Sequence, residues 1–318
     1  MSKPPIHVIC LLWLSLTSAP ASSNQDIPDQ YPGSILYSSP VEVIPGVWSA
    51  IGATAPPGYE NSGHNNNYSF IVTGDGVVVV NSGSYLLAKA LHEEIKAITD
   101  QPVRLVINEN GQGHAMLGNG YWRDHGIPVL AHADAAAEFE ESGHASLANL
   151  RRYGKEKADE TRVEPPSETM TDKRTIEFGD KRIEVLWLGV SHSAGDLLVW
   201  FPDERLVISG DMAFHERLLP IFEDADTPAW LESWERFEAL GALYVIPGHG
   251  HPTNMDQVRR YTKDYLVFIR GEVAKLLEEG EDLQAAYEID QSRYAHLDTF
   301  EELASINAGR IFEQMEFE

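Results

Sequence analysis

The chain has 318 residues, 43% hydrophobic and 23% charged, which is the composition of a folded globular protein and excludes a disordered chain, a collagen-like repeat or a coiled-coil rod. Its 24 Lys+Arg against 49 Asp+Glu give a formal net charge of −25. That is the wrong sign for tracking phosphates or an anionic membrane surface, so no nucleic acid and no stable membrane association is expected. The single cysteine, Cys10, rules out an intrachain disulfide.

Residues 1–21 read as a secretory signal peptide: Lys3 is the positive start, 8–17 the apolar run, and Ala19-Pro20-Ala21 a small-x-small cleavage site. The run is shorter than the roughly 20 apolar residues that span a bilayer. An uncleaved anchor is the alternative. The expected location is secreted or periplasmic. Residues 22–40 are a polar, Pro-rich, extended lead-in.

From residue 41 onward, strand-type residues predict strands over 41–51, 68–73 and 77–81, the last two joined by Gly74-Asp75-Gly76. Leu87, Leu91, Ile95 and Ile98 recur at helical spacing and predict a helix over 84–99. A strand at 103–108 runs into a Gly-rich loop, then a short helix and a strand at 128–132. Residues 133–172 read as a helical insertion over one face. Hairpins turn at Gly179-Asp180 and Pro202-Asp203, the second joining 197–201 to 206–208. A helix near 228–240, a strand at 243–246 and C-terminal helices over about 254–317 follow. Two β-rich halves, each followed by helices, predict one α/β domain over 41–318.

Four predicted strand ends carry metal-ligand side chains. They are Asn108-Glu109-Asn110-Gly111-Gln112-Gly113-His114-Ala115, then Gly189-Val190-Ser191-His192-Ser193-Ala194-Gly195-Asp196, then Ser209-Gly210-Asp211, and last Pro247-Gly248-His249-Gly250-His251. Rigid backbone just before each loop can hold a ligand in place. In their order, spacing and context these segments resemble the metallo-β-lactamase superfamily. The resemblance covers about residues 41–251. His192 through Asp196 is similar to the family's second-histidine motif, Gly210-Asp211 to its bridging-aspartate motif, and Pro247-Gly248-His249-Gly250 to its last-histidine motif. It implies a metallo-β-lactamase-like αβ/βα four-layer sandwich with the metal site along one edge.

The family's signature loop, His-x-His-x-Asp-His, is altered throughout. Ile107-Asn108 before it and Gly118-Asn119 after it fix the same register. Asn110 and Gln112 then replace the first two histidines, His114 replaces the aspartate and Ala115 the third histidine. Neutral amide oxygens are poor zinc ligands beside imidazole, so the site that takes the first two histidines and His192 is weakened. The second becomes His114, Asp211 and His249, with His192 available as a fourth ligand: two histidines and a carboxylate, enough for one metal ion with open positions. His114 and Asp211 are the candidate catalytic residues, and Glu109 is the nearest carboxylate that can point inward.

These residues imply an exported hydrolase-like protein using one zinc ion, with iron the less favoured metal, on an ester, thioester or lactam-type bond of a small molecule. The alternative is a non-catalytic binding protein in which Asn110, Gln112 and His114 bond to one another. His114 distinguishes the two: a replacement ligand points at Asp211 and His249, a filler turns away. Loop residues 64–67 (His64-Asn65-Asn66-Asn67) read as solvated. Tyr121, Trp122, Trp187, Trp200, Trp230 and Trp234 read as core.

Overall fold

A computed structural model describes residues 35–318; residues 1–21, read above as a signal peptide, and most of the expected lead-in lie outside the described residues. The first half runs β1 (Val41–Ile44), β2 (Val47–Ala50), β3 (Tyr68–Val72), β4 (Val77–Val80), α1 (Tyr85–Ile98), β5 (Val103–Ile107), α2 (Gly113–Met116), α3 (Asn119–Asp124), β6 (Val129–His132), α4 (Ala133–Gly154) and β7 (Glu168–Met170). The second runs β8 (Lys173–Phe178), β9 (Lys181–Trp187), β10 (Leu197–Phe201), β11 (Leu206–Phe214), α5 (Thr227–Ala239) and β12 (Tyr244–His249). It closes with α6 (Met255–Tyr261), α7 (Lys263–Glu279), α8 (Leu283–Tyr287) and α9 (Phe300–Met315).

The strands form two sheets. Strands β1 to β7 lie in chain order in one, antiparallel up to β4 and parallel from β4 to β7. The other has the order β12-β11-β10-β9-β8, with β11 and β12 parallel. The period-2 alternation of strands explains how they stack. In β4, Val77 and Val79 face α1, while Val78 and Val80 face the other sheet. In β10, Leu197, Val199 and Phe201 meet that same inter-sheet core, and Leu198 and Trp200 face the C-terminal helices. The inner strands of both sheets, such as β4, β10 and β11, are buried on both faces, and the layers read helix, sheet, sheet, helix: the αβ/βα sandwich expected. No helix among the described residues is long and apolar enough to cross a membrane.

Local chemistry sets the element ends. Helix α1 starts at Ser84, whose hydroxyl accepts from Leu87 N, and buries Leu87, Ala88, Leu91 and Ile95. Ile98, which the spacing puts on the same face, is exposed at the helix end. Residues 41–51 form a hairpin rather than one strand, because Pro45 offers no N–H and Gly46 turns at φ +80°. Residues 133–172 supply α4 and the edge strand β7, which pairs with β6. Helix α4 buries Ala135, Phe139, Leu147 and Leu150 against Ala115, Met116 and Leu117, which holds α2 and hence His114 in place. Trp122, Trp230 and Trp234 are fully buried and Trp200 and Tyr121 nearly so, whereas Trp187 is half-buried and stacks on His132.

Candidate metal centre

The four predicted loops converge on one edge of the sandwich. Glu109 and Asn110 follow β5, His114 opens α2, His192 lies between β9 and β10, and His249 ends β12. Asp211 is inside β11 and not beyond it, as the strand pattern predicts. The strand continues to Phe214 through a kink at Gly210, φ +52°, with the register against β12 shifting there. Gly210 is needed twice. It takes a left-handed backbone that side chains resist, and a Cβ there would overlap the Glu109 carboxylate. A Cβ at Gly248 would likewise overlap the Asp211 carboxylate.

His114 Nε2 points at two carboxylates, 3.3 Å from Glu109 Oε1 and 3.4 Å from Asp211 Oδ2. Its ring centre is 5.9 Å from that of His249. His114 therefore turns inward, as a replacement ligand should, and does not join an Asn110–Gln112 network. Asn110 Nδ2 donates to Asp211 Oδ2 at 3.2 Å, and Asn110 Oδ1 accepts from Gln112 N. Gln112 Nε2 meets His192 Nδ1 at 3.2 Å. His192 stands farther out, 3.8 Å from Asp211 Oδ2, with Phe222, Trp230 and Phe214 around its ring. Its loop is braced by buried Asp196, which accepts from Ser191 Oγ, Ser193 Oγ and Ser193 N. His249 Nε2 lies 3.4 Å from Asp211 Oδ1.

Glu109, in sequence only a neighbour of the motif, is part of the site. Its N–H donates to Asn81 Oδ1, its carbonyl accepts from Leu197 N, and its Oε1 accepts from Asn66 Nδ2 at 3.0 Å. Loop residues 64–67 are buried, not solvated. Asn66 aims Glu109, and Asn67 Nδ2 holds the carbonyls of Pro247 and Gly250 on either side of His249. Polar side chains that satisfy buried backbone look the same in sequence as those that face water. Arg217 carries no sequence signal at all: it is buried, reaches His249 Nδ1 with Nη1 at 3.3 Å, and lines the pocket. His215 and His251 are half-buried, and both lie beside Glu216.

Burial and charge pull the titrating groups apart. Burial alone would raise Asp211, but His249 and His114 hold it below the usual carboxylate range. Burial, then the Asp211 charge, raises Glu109. Burial lowers His114, and the two carboxylates outweigh it, so the net shift is upward. His249 is lowered to about 4, first by burial and then by Arg217.

A pocket of about 700 Å³ opens onto this centre, lined by His114, His192, Asp211, Arg217 and His249 at its base and by Phe222 and Tyr153 among others.

The comparisons with known proteins agree with this architecture. The model of the metallo-β-lactamase superfamily matches residues 114–249. The type 2 metallo-β-lactamase of Bacteroides fragilis is 30% identical over 97 residues, which is 29% of this chain and 39% of that protein. Residues 114–249 belong to the metallo-β-lactamase superfamily by this match. Solved structures share its fold. A metallo-β-lactamase from Pontibacter korlensis superposes with TM-score 0.55 at 18% identity, covering 69% of this chain and 94% of that one. The stereoselective inverting sec-alkylsulfatase Pisa1 from Pseudomonas sp. superposes with TM-score 0.67 at 18% identity, covering 87% of this chain and 50% of that one.

Metallo-β-lactamase relatives imply metal binding, and the side chains here fit one cation. Ligand atoms of Glu109, His114 and Asp211 lie within 4.8 Å of one another. Glu109 Oε2, His114 Nε2, Asp211 Oδ1 and His192 Nε2 are buried without a hydrogen-bond partner. The first three belong to the side chains whose ligand atoms converge, whereas in His192 it is Nδ1 that faces Asp211; orphaned atoms gathered at one point are costly unless something binds them. The same side chains do not fit the family's two-metal arrangement: Asn110 and Gln112 are spent on hydrogen bonds, and Ala115 has no donor atom.

Proposed function

We propose that the protein is a hydrolase that uses a single metal ion held by Glu109, His114 and Asp211, with His192 alongside, to cleave a small molecule seated in the pocket above them. The observation that carries this reading is the set of orphaned, buried donor atoms facing one another. Two carboxylates and an imidazole suit zinc first, and manganese or iron by donor type. A bound divalent ion would supply Lewis acidity, polarising the scissile group and acidifying water.

The chain's own residues do the rest. Asn66 and Asn81 hold Glu109 in one orientation. Asn110 anchors Asp211, so its other oxygen stays directed at the centre. Phe222 and the aromatic cage behind His192 keep water from that side. The substrate bond is an ester, thioester or lactam-type linkage. Lactams and alkyl sulfate esters, named for the structural neighbours, belong in the screen as well. The apolar N-terminal run and its cleavage site support export, which N-terminal sequencing of the mature protein would test.

One arrangement favours the rival reading of a non-catalytic binding protein. Without an ion, a protonated His114 between Glu109 and Asp211 is itself a satisfied ion-pair cluster. Metal analysis by mass spectrometry on protein purified without chelators separates the two. The proposal expects about one equivalent, lost in His114→Ala, and hydrolysis that follows metal content. An absence of metal even after incubation with excess zinc or manganese overturns it in favour of the binding protein.

A further inference from the structure

We infer that Arg217 limits this centre to one cation, by donating to His249 Nδ1 and so keeping the Nε2 lone pair of His249 out of the ligand set. The inference rests on the single-metal reading above and extends it to a residue outside the signature motifs. A guanidinium has N–H donors and no acceptor, so at 3.3 Å from Arg217 Nη1 the Nδ1 of His249 must accept. A neutral imidazole that accepts at one nitrogen carries its proton on the other. That proton is on Nε2, which faces Asp211 Oδ1 at 3.4 Å.

This polarity is the reverse of a metal-bound histidine, whose second nitrogen donates to a carboxylate, carbonyl or water. Here the group behind the ring is a cation that can only donate. Arg217 also puts a buried positive charge beside Asp211, where a second divalent ion would be repelled. Its backbone is held by the C-terminal part of the chain: Arg217 and Asp298 form an isolated β-bridge just before α9, with Leu218 N donating to the Asp298 carbonyl and Asp298 N to the Glu216 carbonyl. The C-terminal helices thus reach the metal centre through Arg217, a positioning residue.

The test has two arms. In the metal-free protein, nitrogen-15 correlation spectra of the histidine rings, with His249 assigned by loss of its signals in His249→Gln, report the tautomer directly. The inference expects a bare Nδ1 and a protonated Nε2; a proton on Nδ1 overturns it. The second arm is zinc titration followed by native mass spectrometry in four proteins: wild type, His249→Gln, Arg217→Met and the double variant. With Arg217 in place His249 is a bystander, so its loss leaves zinc stoichiometry and affinity essentially unchanged. In the Arg217→Met background the freed ring joins the centre, and removing it then weakens zinc by at least the roughly tenfold that loss of a ligand's partner costs. An equal effect of His249→Gln in both backgrounds overturns the inference. If the wild type takes up no zinc, the single-metal reading has failed, and the ring spectra of the metal-free protein still decide the tautomer.

Discussion

Asn67 ties the strand end that carries His249 to the opposite sheet, and its replacement should be costly out of proportion to its size. The side chain donates from Nδ2 to the carbonyls of Pro247, at 2.9 Å, and Gly250, at 2.7 Å, and accepts at Oδ1 from Gly52 N at 3.1 Å. All three partners belong to buried residues, so water does not replace the lost bonds. At roughly 1 kcal/mol per hydrogen bond, Asn67→Ala should cost about 3 kcal/mol. Asn67→Asp is the sharper variant. It preserves shape and Oδ1, but a carboxylate cannot donate, and it would turn a charge toward two carbonyl oxygens. It should therefore destabilise at least as much as alanine. Urea unfolding followed by far-ultraviolet circular dichroism measures both. A cost below about 1 kcal/mol for alanine, or a benign aspartate, would refute the argument that these bonds hold the His249 strand end.

Three further outcomes follow from the same structure. His64 is buried, accepts from Tyr37 N at Nδ1 and stacks on Tyr68, and burial lowers its pKa to about 3. Folded, it stays neutral where the unfolded chain is protonated, so its contribution is whole above about pH 6.5 and falls by about 1.4 kcal/mol per pH unit as pH drops toward 3. Unfolding measured from about pH 7 to about pH 4 should show a shallower loss in His64→Gln, and parallel curves would count against the assignment. Gly210→Ala should destabilise well beyond the roughly 1–2 kcal/mol of a left-handed backbone, because its Cβ displaces Glu109. Gly126→Ala, at φ +71° with open space around it, is the control that carries the backbone cost alone. Equal costs in the two would contradict the packing argument. Asp196→Ala removes three hydrogen bonds from the His192 loop and should cost about 3 kcal/mol by the same denaturant assay; a neutral effect would show that the loop is held elsewhere.

Much of the frame is legible in the sequence because its signals are local. The Gly-Asp and Pro-Asp turns, the apolar spacing of α1 and the Gly-His and Gly-Asp pairs beyond predicted strands each declare themselves within a few residues. His114, His192, Asp211 and His249, far apart in the chain, meet at one edge because Asp211 follows a strand kink, His249 ends a strand, and the loops after β5 and β9 bring in the other two. The features that escape depend on what lies across the fold. Asn66 and Asn67 look like a wet loop, and only the opposing Glu109 carboxylate and the Pro247 and Gly250 carbonyls reveal them as buried struts. Arg217 follows no motif; its meaning comes from the His249 ring beside it and from Asp298, more than eighty positions away. The sequence puts Asp211 past the end of its strand because a glycine at 210 reads as a stop, whereas β11 absorbs it as a kink. Glu109 is flagged by proximity, but its aim comes from Asn66 and from the space that Gly210 leaves open.

The most direct test of the central claim is an anomalous-scattering map at the zinc edge from crystals of the zinc-loaded protein. A single peak enclosed by Glu109, His114 and Asp211, with His249 still bonded to Arg217, is the expected result. A peak between His192 and His249, two peaks, or none would contradict it.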